Sequence, residues 1–155
     1  MQFKIESLLD KIGVRILGVL QKDARASFSD IGRKVGLSSP AVAERIRKLE
    51  DAGIILGYHT KIDPQKTGMA IAAFIHLTAP PERYAKIKSL ANSAPEILEC
   101  HHVSGSESFI MKACVRSVSH LERLVEKLSP YGQTKTSIVL SSPVEKNVIG
   151  LELIS

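Results

Sequence analysis

Between Ser27 and Gly53 the apolar positions fall at helical spacing in two short runs separated by a break. Ile31 and Val35 lie four apart and share one face of a first helix. Ser27 is placed to cap it, with Asp30 three residues on, as in a weak capping box. Gly36 interrupts the pattern where a left-handed residue ends a helix, and Leu37 is a lone apolar residue in the turn. Ser38 then caps a second helix with Pro40 in its first turn. Along it Val42, Ile46 and Leu49 fall at i, i+4 and i+7, one apolar stripe. At about 100° per residue, Pro40, Glu44, Arg47 and Lys48 point the other way. Two such helices joined by a tight turn predict a helix-turn-helix.

Upstream, residues 5–20 read as one amphipathic helix, with Ile5, Leu8, Leu9, Ile12, Ile16 and Val19 on its main stripe and Val14 and Leu17 behind. Gly13 and Gly18 each lower its propensity by up to about 1 kcal/mol relative to Ala. Residues 54–62 read as extended, a wing and the way into a second domain, and Asp63 to Gly68 is turn chemistry. From Met69 the period changes from 3.6 to 2. Four strands are predicted, over 69–78, 97–103, 108–115 and 134–141, with helices over 82–93 and 118–128. The order βαββαβ predicts a ferredoxin-like, four-stranded antiparallel sheet with both helices on one face. The other face keeps apolar residues, and 147–154 adds an apolar tail, which together predict a homodimer or larger assembly.

The expected class is therefore α+β, divided into residues 1–60, a winged helix-turn-helix; 61–68, a linker; and 69–155, a βαββαβ oligomerisation domain.

Charge adds a direction. The 155 residues carry a net +5, spread along the chain, which permits a nucleic-acid partner without a basic tail. The small residues Ser38, Ser39, Ala41 and Ala43 let the second helix approach base edges. Arg47 is placed to donate to guanine and Glu44 to accept from a cytosine amine. Arg25, Lys34 and Lys48 are candidate phosphate contacts. The expected DNA-reading set is Ser38, Ser39, Pro40, Ala43, Glu44 and Arg47. The plain alternative is a helical hairpin with solvated charges, Glu44 and Lys48 forming an i, i+4 pair.

Other chemistry finds little support. His101 and His102 are adjacent, so on a strand they face opposite ways and do not share an ion with His76. No metal site and no catalytic group is predicted: the sequence has no HExxH, phosphate loop, dinucleotide fingerprint or Gly-x-Ser-x-Gly elbow. A small-molecule enzyme on the ferredoxin-like half is correspondingly disfavoured, and no cofactor is expected. Cys100 and Cys114 lack zinc-ligand spacing and suggest buried thiols in a reducing compartment. Without a leader pattern or membrane-length apolar run, the chain reads as cytoplasmic, with no membrane partner.

Several runs together resemble the Lrp/AsnC (feast/famine) family of transcriptional regulators over nearly the whole chain. They are Leu9-Asp10 followed by Ile16-Leu17, Leu20 to Arg25, Val35 to Ser38, Arg45 to Glu50, Gly53 to Ile55, Ile62 to Pro64 with Gly68, Glu99 to His101, and Val103 to Gly105. The resemblance implies a sequence-specific regulator of double-stranded DNA, associated with the nucleoid, in which the βαββαβ half dimerises through its sheet. Dimers would assemble further, into octamers or turns of a helix that wrap DNA. The alternative is an amino-acid sensor whose DNA binding is weak or vestigial. In such relatives an amino acid binds near the glycine turn after the second strand of the C-terminal domain. Here that maps onto Gly105, Ser106, Glu107 and Ser108, with Gln133, Thr134 and Thr136. The turn departs from the family pattern: Ser106 and Ser108 stand where carboxylates are usual, which predicts weak or absent binding of leucine or asparagine.

Overall fold

The computed structural model describes residues 2–145 and 149–150. They form two compact units, Met1–Thr60 with the chain from Val144, and Lys61–Pro143.

In the first unit, helices run over Gln2–Leu8 (α1), Lys11–Lys22 (α2), Phe28–Val35 (α3) and Ser39–Asp51 (α4). The single helix expected over 5–20 is two helices, because Asp10 caps a fresh start. Its Oδ1 accepts the Gly13 N–H at 2.7 Å. A Cβ at position 13 would stand 1.8 Å from the Leu8 carbonyl oxygen, so the break needs glycine there. Restarting at Lys11 also re-phases the apolar arc: Leu17, expected behind the stripe, is buried with Ile16. They meet Ile31 and Val35 of α3 and Val42, Ile46 and Leu49 of α4 in one core. Ile54 and Ile55 pack against that core, and the segment through Ile62 forms no strand. The expected wing is thus absent among the described residues, since one extended segment without a hairpin mate has no ladder to join.

The second unit holds β1 (Ile71–Thr78), α5 (Tyr84–Ser93), β2 (Ile97–His102), β3 (Phe109–Val115), α6 (Val118–Leu128) and β4 (Gln133–Ile138). The sheet is antiparallel with order β2-β3-β1-β4, the ferredoxin-like arrangement. Alternate residues Ala73, Ile75 and Leu77 of β1 and Phe109, Met111, Ala113 and Val115 of β3 face the helices. There they bury Ile87 of α5 and Leu121, Leu124 and Leu128 of α6. The opposite face presents Ala72, Phe74 and His76 beside Cys114, Lys112 and Ile110. β4 ends at Ile138, three residues short of expectation.

Of the apolar tail at 147–154, all but Ile149 and Gly150 lies outside the described residues; Ile149 donates its N–H to Gln21 Oε1 at 2.7 Å. No helix among the described residues is long and apolar enough to cross a membrane.

Candidate nucleic-acid interface

The start of α3 and its exit into the turn before α4 are fixed by local chemistry. Ser27 Oγ accepts the Asp30 N–H at 3.1 Å and donates to Asp30 Oδ2 at 2.6 Å. Gly36 takes φ +79°, and Leu37 returns its N–H to the Gly32 carbonyl at 3.0 Å. Ser38 has the extended backbone of an N-cap, but its hydroxyl makes no capping bond, so the expected side-chain cap is not formed. Pro40 in the first turn removes one donor that would otherwise need a partner.

Two long-range contacts seat the pair of helices. Arg45 donates Nη1 and Nη2 to Asp10 Oδ1 and Oδ2 at 2.8 and 2.9 Å, tying α4 to the start of α2. That hydrogen bond is the main reason the Asp10 carboxyl sits below the ordinary aspartate range. Arg15 donates to the Lys34 carbonyl near the end of α3. The sequence signal for these contacts was absent, because the partners are far apart in the chain.

With Val42, Ile46 and Leu49 at 0–3% exposure, α4 has one face locked and the other free. Ser38, Pro40, Glu44, Arg47 and Lys48 are exposed; Ser39 and Ala43 are half-buried beside them. The charges on this face pair among themselves. Arg47 donates Nε and Nη2 to Glu44 at 3.2 and 3.0 Å, and Nη1 to Asp51 at 3.0 Å. Lys48 Nζ lies 3.4 Å from Glu44 Oε1. The Arg47 hydrogen bond holds the Glu44 carboxyl below its usual range. Asp51 was not anticipated as part of this face. Two cations and two carboxylates cancel, so these four groups add no net charge to the face. Arg25 and Lys34 are exposed and make no ion pair among the described residues. Arg25 stands in the loop after α2, Lys34 in the last turn of α3. Tyr58, from the extended segment, donates to Glu50 at 2.9 Å. Burial, then the Glu50 carboxylate, pushes its hydroxyl up to about 12.

The glycine turn of the second unit is tied to the end of β1. Thr78 Oγ1 donates to the Ser106 carbonyl at 3.2 Å. Ser108 is buried, and its hydroxyl both accepts from Ala79 N (3.1 Å) and donates to Ala79 O (3.0 Å). Its oxygen is thus occupied in tying the turn to the end of β1. Ser106 donates to Glu107 Oε2 at 2.7 Å, the largest cause of a lowered Glu107 pKa; His76 and Lys135 act in the same direction. His76 and Lys135 are cross-strand partners on the sheet face away from the helices. Gln133 pairs with Thr78, while Thr134 and Thr136 pair with Leu77 and Ile75. Strand alternation therefore separates Gln133 from the two threonines. His101 contacts Glu99, whereas His102 packs on Tyr84 and Phe109 on the helix side, so the two histidines do face opposite ways.

Residues 9–50 match the AsnC-type helix-turn-helix domain, and residues 72–149 match the Lrp/AsnC ligand binding domain. The chain belongs to the Lrp/AsnC family. It is 35% identical over 139 residues to the HTH-type transcriptional regulator LrpC of Bacillus subtilis, covering 90% of this chain and 96% of that one. The solved structure of B. subtilis LrpC superposes with a TM-score of 0.84 at 34% identity, covering 88% of this chain and 98% of that chain. A transcriptional regulator from Neisseria meningitidis, solved as an L-Met complex, shares the fold at 22% identity with a TM-score of 0.88, over 94% of this chain and 99% of that chain. This Lrp/AsnC protein is a DNA-binding transcriptional regulator.

Proposed function

We propose that this regulator reads DNA sequence with the N-terminal end and exposed face of α4. Ser38, Ser39, Pro40, Ala43, Glu44 and Arg47 would meet base edges, and Arg25, Lys34 and Lys48 the phosphates. The observation that carries this is the one-sided burial of α4: its apolar stripe is at 0–3% exposure, while Pro40, Glu44, Arg47 and Lys48 stay in solvent. The division of labour is testable by fluorescence anisotropy on duplexes of different sequence. Lys34→Ala weakens all of them alike and flattens the salt dependence by about one unit of slope, as for one lost phosphate contact. An unchanged slope would remove Lys34 from the interface.

The reading extends to assembly and ligand. The sheet face bearing Ala72, Phe74 and Ile110 is a homodimer surface, and dimers build larger particles, an octamer among them, around which DNA can wrap in the cytoplasm. The unit matched as a ligand binding domain is the place for an effector, and an amino acid is the class to test first. At the turn of Gly105, Ser106, Glu107 and Ser108, with Gln133, Thr134 and Thr136 nearby, leucine and asparagine bind weakly. Ser106 and Ser108 bring no carboxylate, and the Ser108 hydroxyl is held on Ala79, so Glu107 is the turn's one charged acceptor for the ligand's ammonium.

A further inference from the structure

The helix-turn-helix unit carries a groove of about 360 Å³, whose lining includes Leu20 of α2, Phe28 of α3, Ala43, Ile46 and Arg47 of α4, and Tyr58 of the segment that follows. Ile46, 3% exposed, lies at its base. Phe28 and Tyr58 stay 47% and 46% exposed, so two aromatic rings on the groove face solvent. Ala43 and Arg47 are also members of the proposed DNA-reading set, so the groove and the reading face of α4 share an edge.

The chain from Val144 belongs to this same unit. It is held there at one defined point: Ile149 donates its N–H to Gln21 Oε1 at 2.7 Å. Gln21 follows Leu20 directly in the last turn of α2, so the hydrogen bond brings the returning chain next to a groove residue. After Gly150 come Leu151, Glu152, Leu153, Ile154 and Ser155, outside the described residues. Three of these five side chains are large and apolar, and burying them is favoured in proportion to the area removed from water. Five extended residues reach about 17 Å, more than the roughly 10–12 Å width of one helix, so a segment that starts beside α2 can reach α4.

We propose that residues 151–155 seat in this groove of their own chain, with Leu151 and Leu153 against Leu20, Phe28 and Tyr58, and that the seated segment restrains DNA binding by α4. Two residues apart in an extended run, Leu151 and Leu153 share one side, and Glu152 turns outward between them. Its carboxylate then adds a negative charge beside Arg47, which repels phosphate. The tether decides between this occupant and a free partner. Held at Ile149 and linked through Gly150, the segment meets the groove at an effective concentration on the order of millimolar, far above that of a second copy in solution. The seating rests on the groove alone; the restraint rests on the reading of α4 proposed above.

Photo-cross-linking of the full chain tests the seating without DNA. Phe28→p-benzoylphenylalanine places the reactive group on an exposed ring of the groove. Heavy- and light-isotope protein are refolded together, irradiated and read by mass spectrometry. The group should capture a peptide from residues 149–155, with both halves of the product of one isotope. Leu151→Ser combined with Leu153→Ser should cut the yield about tenfold or more, through loss of the apolar contact. Absence of that product overturns the proposal, and so does a yield unchanged in the double variant. Heavy–light pairs overturn it too, since they put a second copy's segment in the groove. The restraint is read by fluorescence anisotropy at one fixed salt concentration. The double variant, with wild-type circular dichroism, should bind unselected duplex DNA about three- to tenfold more tightly, as when a face that is closed most of the time is opened. Unchanged or weaker affinity overturns the restraint. Arg47→Ala judges the reading of α4 by itself, so a failure of that reading shows separately.

Discussion

Arg47 is held in the DNA-free protein by two carboxylates on its own helix, Glu44 and Asp51. On the proposed reading of α4, Arg47 leaves both carboxylates to reach DNA, and Asp51 then acts as a brake on indiscriminate contact, since it would repel phosphate and compete for the guanidinium. Asp51→Asn should raise affinity for unselected duplex DNA severalfold and narrow the gap to a preferred site, measured by anisotropy at one fixed salt concentration. Unchanged affinity for unselected DNA would mean that Asp51 stays clear of the duplex. Asp10 carries a different load, as cap of α2 and partner of Arg45. Asp10→Ala should cost about 1–2 kcal/mol in urea unfolding, a lost cap plus a half-exposed ion pair that solvent screens. The Asp10 pKa is depressed on folding, so its contribution is complete above the unfolded value and is lost as pH falls through the folded one. The stability gap between wild type and variant should thus be constant near neutrality and close below about pH 4. A gap that persisted at pH 2 would exclude the ionic role.

At the scale of elements, Gly13 separates two accounts of the N-terminal helices. As a residue in one long helix it only lowers propensity, and Gly13→Ala would stabilise by up to about 1 kcal/mol. As the residue under the Leu8 carbonyl it has no room for a Cβ. Gly13→Ala should therefore destabilise, by about 1–3 kcal/mol in the same urea assay, and a stabilised variant would contradict the break between α1 and α2. The α3–turn–α4 unit and all four strands were legible because each rests on a local signal: Gly36 at the left-handed end, the 3.6-residue stripe of Val42, Ile46 and Leu49, the two-residue alternation from Met69. The break at Leu9-Asp10 was not, because continuous apolar spacing hides a cap. Arg45 was visible only as a family mark. Its brace to Asp10, 35 residues away, is a property of packing. The acidic partners of Arg47 fall on the exposed face by simple periodicity, yet only geometry shows that they bind it. At the glycine turn, sequence showed which residues are present but not that Ser108 spends its hydroxyl on Ala79.

For the whole molecule, the proposed homodimer rests on the sheet face that no helix of its own covers. Phe74, 39% exposed, pairs across the strands with Lys112 and Ser137. A carboxylate there would be buried in a two-fold interface, so Phe74→Glu should convert a sedimenting dimer or larger species to monomer at micromolar concentration, with folding intact by circular dichroism. A wild-type chain that sediments as monomer would refute the sheet-mediated dimer. The central claim, that the exposed face of α4 carries sequence recognition, is tested most directly by selecting bound duplexes from random DNA with the full chain and with Arg47→Ala. Wild type should enrich one motif. Arg47→Ala should lose preference at one base pair per half-site, binding the wild-type motif about five- to a hundredfold more weakly, and keep the rest. An identical motif bound with identical affinity by both proteins would contradict the assignment of this face.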